Sequence, residues 1–191
     1  MRPSPRLVVA TLAGVLSLAV AAPAQAHPVQ ATPAAGASAR VDAQAVGHAP
    51  RQDRRFLVAA HQGNLAEIRA GRLALARSHD PEVRHIAARL IVDHRRLDAD
   101  IRALAHRHGV RLPAAPSRKQ QAALAAVAAK SGPAFDVAWL RLQKRSHIQT
   151  LRLIRRELHR GHLADVRAAA CTARPVVAMH LRMVREALRH R

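Results

Sequence analysis

From residue 53 onward, apolar and polar positions recur with the period of an α-helix. The clearest stripe has spacings that alternate between four and three residues, as expected for the packing face of a helix in a bundle. Arg84, Arg95, Asp98 and Arg102 fall mostly off this stripe. Its members are Val83, Ala87, Leu90, His94, Leu97, Ile101, Leu104 and His108.

Start and stop signals divide this region into four long helices. Asp80-Pro81 combines an N-cap residue with a proline at the first helical position, and Gly109 and Gly161 are natural helix ends. Pro175 lies inside the last helix and predicts a kink or an interrupted turn there. The predicted bounds are Asp53–Arg77, Pro81–His108, Pro133–Arg160 and Leu163 to the carboxyl terminus.

The third long helix has two apolar sides and therefore needs two packing partners. The connector that precedes it, residues 110–132, contains a short alanine-rich helix that starts near Ser117 and is the obvious second partner. The fold class predicted is all-α, a four-helix bundle with a short connector helix between the second and third long helices. One apolar side contains Val137, Leu140, Leu151, Ile154 and Leu158, and the other contains Phe135, Trp139, Leu142 and Leu153.

The amino-terminal part of the chain has a different pattern. Residues 1–26 are predicted to be a signal peptide, with early arginines, an apolar run and a small-x-small site that predicts cleavage after Ala26. The apolar run is short for a membrane span of about 20 residues, and no later segment is apolar enough for one. Residues 27–52 are predicted to be a disordered linker before a domain at 53–191. The protein is therefore expected to be exported to the periplasm, the cell envelope or the exterior.

Composition agrees with a helical domain and adds a strong charge. Hydrophobic residues make up 49% of the chain, enough for a core, and aromatic residues only 2%. The formal net charge of +20 predicts attraction to an anionic envelope surface or polymer, and the alternative explanation is a genome with arginine-rich codon usage. Export and the scarcity of aromatic side chains for base stacking argue against nucleic acid. The single cysteine excludes an internal disulfide and any multi-cysteine metal site.

Each long helix carries a titratable residue on or beside its apolar side, near its middle. These residues are Glu67, His94, His147 and His180. A buried polar group without a partner costs about 1–3 kcal/mol, so they are expected to meet in one layer. One interpretation is a hydrogen-bonded polar layer that sets helix register. The other is a metal site, with a transition metal ion, iron or zinc, held by these four side chains.

Enzyme signatures are scarce. A di-iron carboxylate site needs two copies of Glu-x-x-His, and only Glu82-x-x-His85 occurs, in the first turn of its helix. No nucleophile triad, phosphate loop or dinucleotide fingerprint is found. A non-enzymatic binding or structural module is therefore favoured over an enzyme, with a metal-binding or redox protein as the alternative.

An ordered set of short segments resembles a known family. From Asp53 onward the chain is similar to the bacterial domain-of-unknown-function family 4142, which is grouped with ferritin-like four-helix proteins. The resemblance implies a ferritin-like bundle and export, and it supplies no activity. Its pattern includes Glu67, His94, His147 and His180. The segments are Asp53-Arg54-Arg55-Phe56-Leu57, Gly63-Asn64-Leu65-Ala66-Glu67, Asp80-Pro81-Glu82-Val83, Asp93-His94, Gly109-Val110-Arg111-Leu112-Pro113, Phe135-Asp136, His147, and Pro175 with His180-Leu181.

Overall fold

In the computed structural model, which describes residues 49–191, all regular secondary structure of those residues is α-helical. The predicted all-α class is confirmed, with four long helices and a short one. The first helix begins two residues earlier than predicted, and the last continues through Pro175 without interruption. The helices are α1 (Arg51–Arg77), α2 (Pro81–Arg107), α3 (Arg118–Ala128), α4 (Gly132–Arg160) and α5 (Ala164–Arg189).

Local capping explains where α2 and α3 begin. The Asp80 carboxylate accepts a hydrogen bond of 2.9 Å from the backbone N–H of Val83, and Pro81 supplies the preset φ of a first helical residue. Ser117 and Gln120 form a reciprocal capping box at the start of α3. These ends are encoded within three or four residues, which is why the sequence pattern located them well.

Contacts between helix ends show in which direction each long helix runs. Gln52, at the start of α1, donates to Glu157, near the end of α4. His108, just after α2, lies 2.9 Å from the carboxylate of Asp165 at the start of α5. Helices that are neighbours in the bundle are therefore antiparallel, whereas α2 and α4 run in the same direction. The connector must consequently return along the whole bundle, and a single long crossover of this kind occurs in ferritin-like folds.

The crossover is attached to the bundle along its length. The short helix α3 packs against α4 and α1, which provides the second partner that the two-sided α4 requires. His61 lies 2.7 Å from Asp98 through Nδ1 and 3.0 Å from the carbonyl oxygen of Pro113 through Nε2. Asp98 is therefore buried, although the helical stripe placed it mostly away from the packing face.

The apolar core has two parts, one toward each end of the bundle. The first surrounds Phe56 and Ile154, and the second surrounds Trp139 and Leu90. Trp139 is fully buried, and its indole N–H donates to the carbonyl of Ala70 at 2.9 Å. Between the two clusters lies a level of buried polar side chains, to which α1, α2, α4 and α5 all contribute.

The predicted signal peptide at residues 1–26 lies outside the described residues, as does nearly all of the linker predicted at 27–52. None of the helices in the described part of the chain has the length and hydropathy needed to cross a membrane.

Candidate metal centre

Three of the four predicted inward-facing residues meet at the middle of the bundle. His94 on α2, His147 on α4 and His180 on α5 are 3%, 1% and 0% exposed. Their ring centroids are 5.3–5.7 Å apart, and one nitrogen from each ring lies within 4.8 Å of the other two. Three separate helices thus converge on one small volume.

The remaining nitrogen of each ring is held by a fixed acceptor. His94 Nδ1 lies 2.9 Å from the side-chain oxygen of Asn64, and His180 Nε2 lies 2.9 Å from a carboxylate oxygen of Asp93. His147 Nδ1 lies 2.9 Å from the backbone carbonyl oxygen of Gln143. Because oxygen is the acceptor in each case, these three nitrogens carry the hydrogen, and the other nitrogen of each ring presents a lone pair.

Burial keeps the three rings neutral. Removal from water lowers the pKa of His94 well below 6.5, and the neighbouring His147 and His180 lower it further. Burial likewise lowers the pKa of His147 to about 4. For His180 burial again lowers the pKa, while its bond to Asp93 acts in the opposite direction. Neutral imidazole is the form that binds metal ions.

The three lone pairs are what the arrangement leaves unsatisfied. His94 Nε2, His147 Nε2 and His180 Nδ1 are buried and have no hydrogen-bond partner among the described residues. Acceptors that face one another repel, and a single water molecule has too few hydrogens to donate to all three lone pairs. A cation that accepts all three lone pairs satisfies the whole cluster at once.

Glu67, the fourth predicted residue, is buried but is not part of this group. Its carboxylate oxygens do not lie within 4.8 Å of all three of these ring nitrogens. Glu67 instead lines a separate cavity with Gln143 and Ser146. Burial raises its pKa to about 8, against the effect of the Ser146 hydroxyl. One of its oxygens, Oε2, has no partner among the described residues.

The donor set suits some metals better than others. Zinc bound by histidine has Zn–N distances of about 2.0–2.1 Å and hence nitrogens about 3.3 Å apart. The three ring nitrogens lie within 4.8 Å of one another, so each pair needs to approach by about 1.5 Å at most. Three neutral imidazoles suit zinc or copper, whereas the non-haem iron triad requires a carboxylate beside two histidines. The described residues place no carboxylate in this group.

The residues that hold the outer nitrogens were not assigned a role by sequence reasoning. Asn64 and Asp93 both lie in segments that carry the family resemblance, and Asp93 directly precedes His94. A histidine that binds a metal commonly donates its other N–H to such an acceptor, which fixes the tautomer and the ring orientation. Asn64 lies three residues before Glu67, about one helical turn away on the same face of α1. This spacing from a predicted inward-facing residue is the signal that could have suggested Asn64.

Comparisons with known proteins agree with the fold. The sequence model of the family described as "Domain of unknown function (DUF4142)" matches residues 36–187. A crystal structure of a DUF305 fragment from Deinococcus radiodurans is similar, with a TM-score of 0.68 and 18% identity. The similarity covers 75% of this chain and 99% of that one, and at this identity it concerns the fold alone. No curated protein matches.

Proposed function

We propose that the bundle of this chain, which belongs to the family of domain of unknown function DUF4142, binds a transition metal ion through His94, His147 and His180. The observation that supports this most is the convergence of three buried imidazole lone pairs with no donor among the described residues. The family description names no activity, so the proposal depends on the site alone.

Two further features favour a metal over a purely hydrogen-bonded layer. In a polar layer, the histidines would be expected to donate to Glu67, but their N–H groups are directed to Asn64, Asp93 and the Gln143 carbonyl instead. Three ligands from three helices also leave one tetrahedral position open, as in zinc sites that bind water or another small ligand. Zinc or copper is the metal that this donor set fits best.

Metal uptake by the chelator-stripped full-length protein tests the proposal. Cobalt(II) is a suitable substitute for zinc, because a tetrahedral site with nitrogen ligands gives it an intense visible absorption. We expect one equivalent of cobalt per chain and displacement by zinc. A colourless titration, together with a melting temperature that zinc and copper leave unchanged, would exclude the site.

Export belongs to the same proposal. The signal predicted at residues 1–26 would deliver the bundle to the periplasm, the envelope or the exterior, where it would act as a non-enzymatic binding module. The intact mass of protein recovered from its native host checks this, and a chain that retains Met1 would contradict it.

A second candidate function is binding to an anionic lipid surface, and a groove between α4 and α5 favours it. Apolar side chains line this groove, and arginines surround them, with no acidic residue among the lining residues. An apolar groove with cationic margins fits an anionic amphiphile, whose chain and head group have the complementary properties. The lining residues are Ile148, Leu151, Arg152, Arg155, Leu158, His159, Arg174, Leu181 and Arg185.

Charge-matched variants test whether binding depends on this groove. One variant replaces the groove arginines Arg152, Arg155, Arg174 and Arg185 with glutamine. The control replaces four exposed arginines on α1 and α2, namely Arg54, Arg55, Arg95 and Arg96. At about 1 kcal/mol per arginine near an anionic membrane, the groove variant should bind phosphatidylglycerol vesicles about a hundredfold or more weakly. Equal losses in both variants would show that only net charge matters, and equal wild-type binding to phosphatidylcholine would exclude the lipid proposal.

A further inference from the structure

A small apolar cavity lies beside His94, one member of the three-histidine cluster, and all four long helices contribute to its lining. Its volume is about 40 Å³, and its lining includes Phe56, Leu97, Ile154, Asn64 and His94. This is room for about three water molecules, or for a molecule of two or three heavy atoms. A cavity with mostly carbon walls holds water poorly and accepts small uncharged molecules more readily.

The position of the cavity relates it to the metal centre. His94 lies in its wall, and so does Asn64, which holds the outer nitrogen of His94. Asp100, which is exposed, belongs to the same lining and places the outer end of the cavity at the surface between α1 and α2. Of the four long helices, α1 is the one that supplies no nitrogen to the cluster.

Gly63 on α1 lies in the wall of this cavity. Glycine inside a helix costs about 0.5–1 kcal/mol relative to alanine, so a mid-helix glycine needs a reason. At Gly71, also in α1, the reason is crowding, because a Cβ there would lie 2.6 Å from the Ile91 side chain. At Gly63 a Cβ would meet nothing within 4 Å, and the backbone does not have a positive φ. Neither crowding nor strain requires this glycine, so a larger side chain introduced at this position has room to enter the cavity.

We propose that this cavity admits a small uncharged molecule, of about the size of a diatomic gas, to the open position of the three-histidine centre. The inference builds on the proposed metal site and names the class of ligand that would reach it. Charged ligands are disfavoured because the cavity walls are mainly carbon, and an ion there would lose its hydration without compensation.

Two measurements on the full-length protein separate the cavity from the metal. The first uses xenon, which occupies apolar cavities whether or not a metal is present. Metal-free wild type should bind xenon beside Phe56 and Ile154 in pressurised crystals. Gly63→Ala should still bind it, and Gly63→Leu should not, because its side chain would fill the space. If Gly63→Leu does not fold, Ala173→Leu fills the cavity from the opposite wall, on α5.

The second measurement uses carbon monoxide and protein loaded with copper(I). Carbon monoxide bound to copper(I) has a characteristic infrared stretch, and its rebinding after a light flash gives an association rate. We expect Gly63→Leu to bind copper as wild type does but to take up carbon monoxide at least about tenfold more slowly, since access then requires local opening of the bundle. Gly63→Ala should behave nearly as wild type.

The outcomes distinguish the two proposals. Metal uptake with unchanged carbon monoxide rates in the filled variants would overturn the access role of the cavity and leave the metal site intact. Xenon binding without any metal uptake would overturn the metal site and the access role with it. Loss of xenon and of rapid carbon monoxide binding in the same variant would support both.

Discussion

Replacement of His94 by leucine is expected to abolish metal binding and all metal-dependent stabilisation. His94 supplies one of only three nitrogens, and leucine leaves a two-ligand site. At free metal a thousandfold above Kd, binding stabilises the native state by about 4 kcal/mol. For a domain of this size that corresponds to a rise in melting temperature of about 10 °C. The variant should show no such rise, and the measurement is calorimetry with and without zinc.

The exposed His106 provides a matched control, because His106→Leu makes the same chemical change far from the cluster. It should retain full metal uptake. Equal loss in both variants, or full uptake by His94→Leu, would contradict the assignment of His94 as a ligand.

Removal of an acceptor that holds the outer nitrogen of a histidine should weaken metal binding without abolishing it. Asn64→Leu removes the acceptor of His94 Nδ1, which frees the ring to rotate or to adopt the other tautomer. Loss of such a partner lowers metal affinity by about 10- to 100-fold without removing a ligand. Stoichiometry should therefore remain at one metal per chain while Kd increases. An unchanged Kd would show that Asn64 does not orient the ring.

The helices could be predicted from the sequence because their signals are local. Asp80 and Ser117 cap the helices that follow them within three residues, and the stripe of α2 follows its buried face at most positions. Asp53 shows where this reasoning fails. The sequence predicts it as the start of the first helix, but its carboxylate accepts hydrogen bonds from the backbone N–H groups of His162 and Leu163 at the start of α5. That partner is more than a hundred residues away, and no local pattern encodes it.

The candidate site could be predicted only in part, for a geometric reason. Helical periodicity specifies the sector of a helix that faces inward, and all four residues predicted on that basis are buried. It does not specify which neighbouring helix a side chain meets within that sector. Glu67 faces the cavity that α3 and α4 share, while the three histidines face one another. The position of α3 depends on how the crossover packs, which a helical wheel of α1 does not contain.

Glu67 is expected to make the free energy of unfolding depend strongly on pH, and the direction of this dependence follows from the burial of its carboxyl group. Its pKa is about 8 in the folded protein against 4.5 for an ordinary glutamate, so the folded state holds the proton more tightly than the unfolded state. The stability that this group contributes is complete below about pH 4.5 and is lost as pH rises toward 8. Above that range a buried carboxylate must carry its charge, at a cost of about 5 kcal/mol at most.

Glu67→Gln is therefore expected to be progressively more stable than wild type as pH rises, in the presence of chelator. Glutamine has nearly the same shape and cannot ionise, so the difference in unfolding free energy should be small at pH 4.5 and reach several kcal/mol by pH 9. Urea unfolding at intervals of pH measures this difference directly. The lowered pKa of the histidines and the raised pKa of Glu157 affect both proteins equally and cancel in the comparison.

The same substitution at the exposed Glu82 serves as the control and should not reproduce the trend. Parallel stability curves for wild type and Glu67→Gln would show that Glu67 ionises freely and is not held in its buried, protonated form.

Metal titration of the same variant then decides the role of Glu67 at the centre. Because the three imidazoles form the ligand group without it, Glu67→Gln should keep one metal per chain. Loss of the metal in this variant would instead make Glu67 a fourth ligand, reached by movement of α1 toward the cluster.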